Sequence, residues 1–111
     1  MSLVKALLAT KLRNELRAIK ADLQVELRNV DVNGVKMGCS GFVTDPATGR
    51  VVYLNTDHNH GTNFDRAYFR VARDTRDFHG GRNHFSSYTE LAEAAADLLK
   101  NPNFDGELAA R

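Results

Sequence analysis

At Leu23 the spacing of apolar residues changes. Upstream, Val4, Leu8, Leu12, Leu16, Ile19 and Leu23 recur at steps of three and four, with Leu7 widening the stripe. That period predicts a helix from Leu3 to about Ala21 with one buried face. Downstream, Leu23, Val25 and Leu27 alternate with Gln24, Glu26 and Arg28, the period of a strand with one wet face. A helix that abuts a strand must lay its stripe on the sheet that strand begins, so this boundary directs the chain to an α+β architecture.

Val30 and Val32 lead into Asn33-Gly34, a pair that tolerates the positive φ of a tight hairpin. A second strand follows from Val35 to about Val43, with Val35, Met37, Cys39, Gly41 and Val43 on one face; Gly38 and Gly41 signal a bulge or a close backbone approach. Asp45-Pro46-Ala47-Thr48-Gly49 combines a φ-restricted proline with a glycine that can end a turn, and leads into a third strand at Val51-Val52-Tyr53-Leu54. The polar stretch from Asn55 to Asp65 reads as a loop, and the alternation from Ala67 to Arg73 as a fourth strand.

A second loop, Asp74 to Phe85, contains Gly80-Gly81. Ser87-Tyr88-Thr89-Glu90 then matches a capping box, and Tyr88, Leu91, Ala95, Leu98 and Leu99 supply the stripe of a helix that Asn101-Pro102 ends. The expected fold is an N-terminal helix, a three- or four-stranded antiparallel meander and a C-terminal helix. Both helices pack on one sheet face and leave the other exposed. Residues 1–102 form the single domain of this reading, and 103–111 a polar tail. The first helix is basic outside its stripe, through Lys5, Lys11, Arg13, Arg17 and Lys20, whereas the second carries Glu90, Glu93 and Asp97.

Of the 111 residues, 42% are hydrophobic and 26% charged, which fits neither a disordered nor a fibrous chain. The net charge of +1 gives no bulk attraction to nucleic acid or to an acidic membrane. Cys39 is the single cysteine, so no intramolecular disulfide can form, and a reducing, cytoplasmic setting is the natural reading. The stretch from Met1 to Leu8 is too short and too charged for a secretion signal or a membrane span, and no membrane partner is expected.

Candidate chemistry concentrates in the loops. His58 and His60, beside Asp57, have the His-x-His spacing that can aim two imidazoles at one metal ion. No Cys pair, HExxH or zinc-ribbon spacing supports them, so no cofactor is expected and a His/Asp metal-dependent enzyme is the least favoured reading. Arg70, Arg73, Arg76 and Arg82, with Tyr68, His79 and His84, lie in or beside the fourth strand and the glycine loop. Arginine and tyrosine anchor protein interfaces, and they also clamp phosphates and stack bases. Surface arginines in a loop, and His84 with them, are expected to matter for binding more than for stability; Leu12 and Leu98, in the buried stripes, are expected to do the opposite.

The order of elements resembles that of double-stranded RNA-binding domains. In that family a lysine cluster opens the second helix, where this chain has the acidic run Tyr88-Thr89-Glu90-Leu91-Ala92-Glu93. The same plan occurs in short stand-alone proteins, including phage-encoded inhibitors of bacterial defence enzymes. The leading expectation is a non-catalytic protein-binding module, an accessory or inhibitory protein of bacterial or phage type, acting through its exposed sheet face and polar loops. Nucleic-acid binding by the arginine-rich strand and loop is the alternative. A homodimer, formed through an uncovered edge strand, is a further expectation.

Overall fold

A computed structural model describes residues 7–56, 66–78 and 82–100. The elements are helix α1 (Ala9–Ile19), strands β1 (Gln24–Val32), β2 (Val35–Asp45), β3 (Arg50–Asn55), β4 (Arg66–Ala72) and β5 (His84–Ser87), and helix α2 (Leu91–Lys100). The strands form one antiparallel sheet in the order β1-β2-β3-β4-β5, a meander with one strand more than the sequence suggested. The extra strand, β5, is four residues long and lacks a clean alternation; its ladder to β4, from Arg66↔Ser87 to Phe69↔His84, makes it a strand. Both helices pack on one face, where Leu12, Leu16, Leu91, Ala95 and Leu99 meet Leu27, Cys39, Val43, Val52, Leu54 and Phe69.

Local chemistry accounts for the turns. Asn33 and Gly34 both have positive φ, 52° and 80°, and join Val32 to its partner Val35. The pairing register slips between Val30 and Asp31, so one residue of β2 near Met37 is extra. The bulge reverses the phase of the strand: Cys39, Gly41 and Val43 face the helices, but Val35 does not share their face and is 58% exposed. Gly41, at φ 152°, lies against the carbonyl of Glu26 so closely that a Cβ there would collide with the β1 backbone. Gly38 lies in the same way against the backbone of Thr56.

The start of the expected helix, up to residue 6, lies outside the described residues, and Leu8, at the N-cap position of α1, supplies no side-chain bond. A distant residue contributes instead: Asn29 Oδ1 in β1 accepts the Ala9 amide at 2.8 Å. Ile19, counted in the apolar stripe, is 39% exposed. Ser87 belongs to β5 rather than to a capping box; its hydroxyl meets Glu90 Oε1 at 3.2 Å and its carbonyl accepts the Glu90 amide, closing a turn before α2. The second helix buries Leu91, Ala92, Ala95, Ala96, Leu98 and Leu99, and Arg50 Nη1 donates to the carbonyls of Leu99 and Lys100 at its C-terminal end.

One ion pair ties the end of α1 to the β2–β3 turn. Lys20 Nζ lies 2.9 Å from the Asp45 carboxylate, whose residue is buried and which also accepts the Ala47 amide. The Lys20 bond, together with that of Ala47, holds the Asp45 carboxyl below its ordinary value of 3.8, against a smaller effect of burial. Bonds to Asp22 and Asp45 hold Lys20 above 10.5. A depressed carboxylate contributes stability above its unfolded pKa and loses it as pH falls through the folded one; a raised ammonium contributes below 10.5 and loses it as pH rises beyond. The pair therefore acts across the whole neutral range. Asp45→Asn is expected to melt earlier than the parent at pH 7, with the gap narrowing as pH falls below 3.8, as thermal scans at neutral and acid pH would show.

Candidate functional site

The two faces of the sheet differ in what they bury. On the face away from the helices, Phe42, Val51, Tyr53 and Ala72 form a second, smaller apolar cluster with Tyr68 against it. Cross-strand registry builds it: Phe42 pairs with Tyr53, Tyr53 with Arg70, and Tyr68 with Phe85. Ring centroids step across the strands at 5.2 Å for Phe42–Tyr53, 6.1 Å for Tyr53–Tyr68 and 6.3 Å for Tyr68–Phe85, an aromatic row from β2 to β5.

This outer face is partly roofed, where the sequence suggested an open one. The segment after β4 folds back over it, and Phe78 packs edge-on against Phe42 at 5.2 Å and Tyr53 at 6.0 Å. Three backbone-directed bonds shape the segment. The Asp77 carboxylate accepts the Arg73 amide, Asp74 accepts the Arg76 amide, and the Arg70 guanidinium donates to the Asp77 carbonyl at 2.8 Å. Phe42 and Tyr53 are buried as a result, while Phe78 and Phe85 are 57% and 59% exposed.

The arginines divide into two kinds. Arg70 is buried, with its guanidinium 4.7 Å from the Tyr53 ring centroid, so it anchors the roof rather than facing solvent. Arg73 is exposed and pairs weakly with Asp77, Nε to Oδ2 at 3.7 Å. Arg66, Arg76 and Arg82 are exposed, and among the described residues none of the three has a carboxylate partner. The Arg66 guanidinium stands 5.8 Å over the Phe85 ring.

The other residues singled out from the sequence are placed as follows. Tyr68 is half-buried; Asn55 Nδ2 donates to its hydroxyl and to that of Tyr53, both at 3.0 Å. Burial first, and the neighbouring Tyr53 second, push the Tyr68 phenol up to about 12, so it stays neutral. His84 turns to the helix side of the sheet and stacks on Phe69 at 5.4 Å, packing with the core rather than with the exposed arginines. His79, Asp57, His58 and His60 lie outside the described residues. No group of three or more His, Cys, Asp and Glu that could hold a metal ion occurs among the described residues. Burial pushes the Cys39 thiol up, against a smaller opposing effect of the Thr56 hydroxyl, which disfavours a thiolate nucleophile there.

Sequence reasoning gave no role on this face to four aromatic contributors: Phe42, Tyr53, Phe78 and Phe85. Phe78 and Phe85 flank the glycine loop, where no period marks them, and only the fold shows that both come to the outer face. No described helix is long and apolar enough to cross a membrane. No family model matches the chain, and no curated protein or solved structure matches it either.

Proposed function

We propose that the protein is a non-catalytic protein-binding module, an accessory or inhibitory protein of bacterial or phage type, which engages its partner through the outer sheet face and the segment after β4 that packs on it. The observation that carries this reading is the pair of exposed rings, Phe78 and Phe85, at the rim of a buried aromatic row with Arg66 over one of them. Rigid aromatics and arginine beside desolvated packing are the composition of interface hot spots. Arg66, Arg76 and Arg82 favour a partner with an apolar recess bordered by carboxylates.

A nucleic-acid surface is less well supported. The run of arginines along β4 does not form an exposed stripe, because Arg70 is withdrawn under the roof and bonded to Asp77. Asp74 and Asp77 lie in the same segment, and the net charge is +1.

The test is capture from a bacterial lysate on immobilised parent and Phe85→Ala protein, read by mass spectrometry. One or more proteins retained by the parent and lost from Phe85→Ala is the expected result. Retention of nucleic acid alone, eluting steeply as salt rises from about 50 to 200 mM, would replace this reading with the nucleic-acid one.

A further inference from the structure

The two edges of the sheet are unequal. The β5 edge is four residues long, whereas β1 runs for nine, and among the described residues nothing pairs with its outer side. Long edge strands are templates for pairing, and proteins blunt them with prolines, bulges or inward-pointing charges. From Gln24 to Val30 β1 has no proline and keeps a regular register with β2, and its residues facing the helices are Val25, Leu27 and Asn29. The bulge between Val30 and Asp31 ends this regular segment, whose middle residue is Leu27.

We propose that the β1 edge is a homodimer interface in which β1 pairs antiparallel with β1 of a second copy about a twofold axis at Leu27. Antiparallel strands related by a twofold axis have that axis normal to the sheet, so paired residues share a face and the axis passes through a residue rather than between two. Glu26 and Arg28 both lie on the outer face, are exposed, and have no ion partner among the described residues. An axis at Glu26 sets that carboxylate against its own copy, and an axis at Arg28 does the same with two guanidinium groups. An axis at Leu27 places Glu26 opposite Arg28 of the other copy, twice, and brings Gln24 opposite Val30 and Val25 opposite Asn29. The charge pattern of this strand thus complements itself in one register.

The resulting sheet has ten strands, with all four helices on one side and both outer faces on the other. Two partner-binding faces held side by side would give a partner with repeated epitopes a gain from avidity. The dimer itself stands apart from that reading, because it is made by the β1 edge, whereas Phe85 lies on β5.

The test is light scattering coupled to gel filtration on the full chain from about 1 to 500 µM, with Glu26→Arg, Arg28→Glu and the double exchange. The parent is expected to approach twice 12.3 kDa as concentration rises. Each single variant sets like charges opposite each other twice and is expected to weaken dimerisation by roughly tenfold or more; the double exchange should restore it. Circular dichroism confirms that each variant is folded. A parent that stays at 12.3 kDa throughout, single variants that dimerise like the parent, or a folded double exchange that fails to recover would each overturn the proposal.

Discussion

Replacing Thr56 by Val is expected to destabilise the protein by about 2–5 kcal/mol, although the two side chains have nearly the same shape. Thr56 is fully buried just beyond β3. Its hydroxyl donates to the Leu7 carbonyl at 2.7 Å and accepts the Cys39 amide at 2.9 Å, tying the approach to α1 to the middle of β2. Its backbone adds to the same junction: the amide donates to the Cys39 carbonyl, and the carbonyl accepts the Tyr88 hydroxyl ahead of α2. Valine keeps the backbone bonds and leaves the Leu7 carbonyl and the Cys39 amide without the hydroxyl. A buried polar group stripped of its partner costs about 1–3 kcal/mol, and two are affected here. Thr56→Ser retains the hydroxyl and should recover most of the loss. Urea denaturation of the three proteins tests this; a Val variant within 0.5 kcal/mol of the parent, about the span of ordinary surface substitutions, would show that the hydroxyl is not structural.

Leu12→Ala is expected to cost a comparable amount, about 2–5 kcal/mol, because Leu12 is fully buried between α1 and the sheet and its removal leaves a cavity as well as lost apolar contact. Leu98, also buried, should behave similarly at the smaller end of that range if the last turn of α2 relaxes into the space. A domain of this size has only about 5–15 kcal/mol of stability, so either loss is visible as an earlier melting transition. Neither residue lies on the outer face, and partner binding per folded molecule should be unchanged. A Leu12→Ala protein that melts with the parent would contradict the packing described for α1.

These two sites also show what was legible beforehand. Leu12 was readable because a helix broadcasts its buried face as a period, and the Asn33-Gly34 hairpin because few residue pairs tolerate two positive φ angles in succession. Gly41 announced a close approach by lacking a side chain in the middle of a strand. Thr56 was invisible, since a buried threonine and a loop threonine look alike until the groups around it are placed. The bulge near Met37 reversed the face of Val35, because one extra residue changes the phase of a period of two. The strand β5 was missed because Ser86 and Ser87 carry a capping signal that the sheet overrides through pairing with β4.

The candidate site was half readable for a related reason. Arginine, tyrosine and glycine marked the region, yet they could not say which arginines face solvent. Arg70 and Arg76 are equivalent in a list of residues. In the fold, the first is buried over Tyr53 and donates to the Asp77 carbonyl, while the second is exposed on the segment that makes the roof. The exposed rings Phe78 and Phe85 stand in no periodic relation to each other, and each reaches the outer face by its own route: Phe78 through the turn after β4, Phe85 through the pairing of β5 with β4.

The measurement that tests the central claim most directly is titration calorimetry of the captured partner into parent, Phe85→Ala, Arg76→Ala, Arg82→Ala and Leu12→Ala proteins, with a thermal melt of each. Truncation of an interface anchor commonly costs about 2 kcal/mol or more, so Phe85→Ala is expected to weaken binding by roughly thirtyfold with little change in melting. Arg76→Ala and Arg82→Ala should weaken it less, and more so at low salt. Leu12→Ala should bind as the parent does while melting early. Parent-like affinity in Phe85→Ala and both arginine variants would place the partner elsewhere on the molecule and contradict the account.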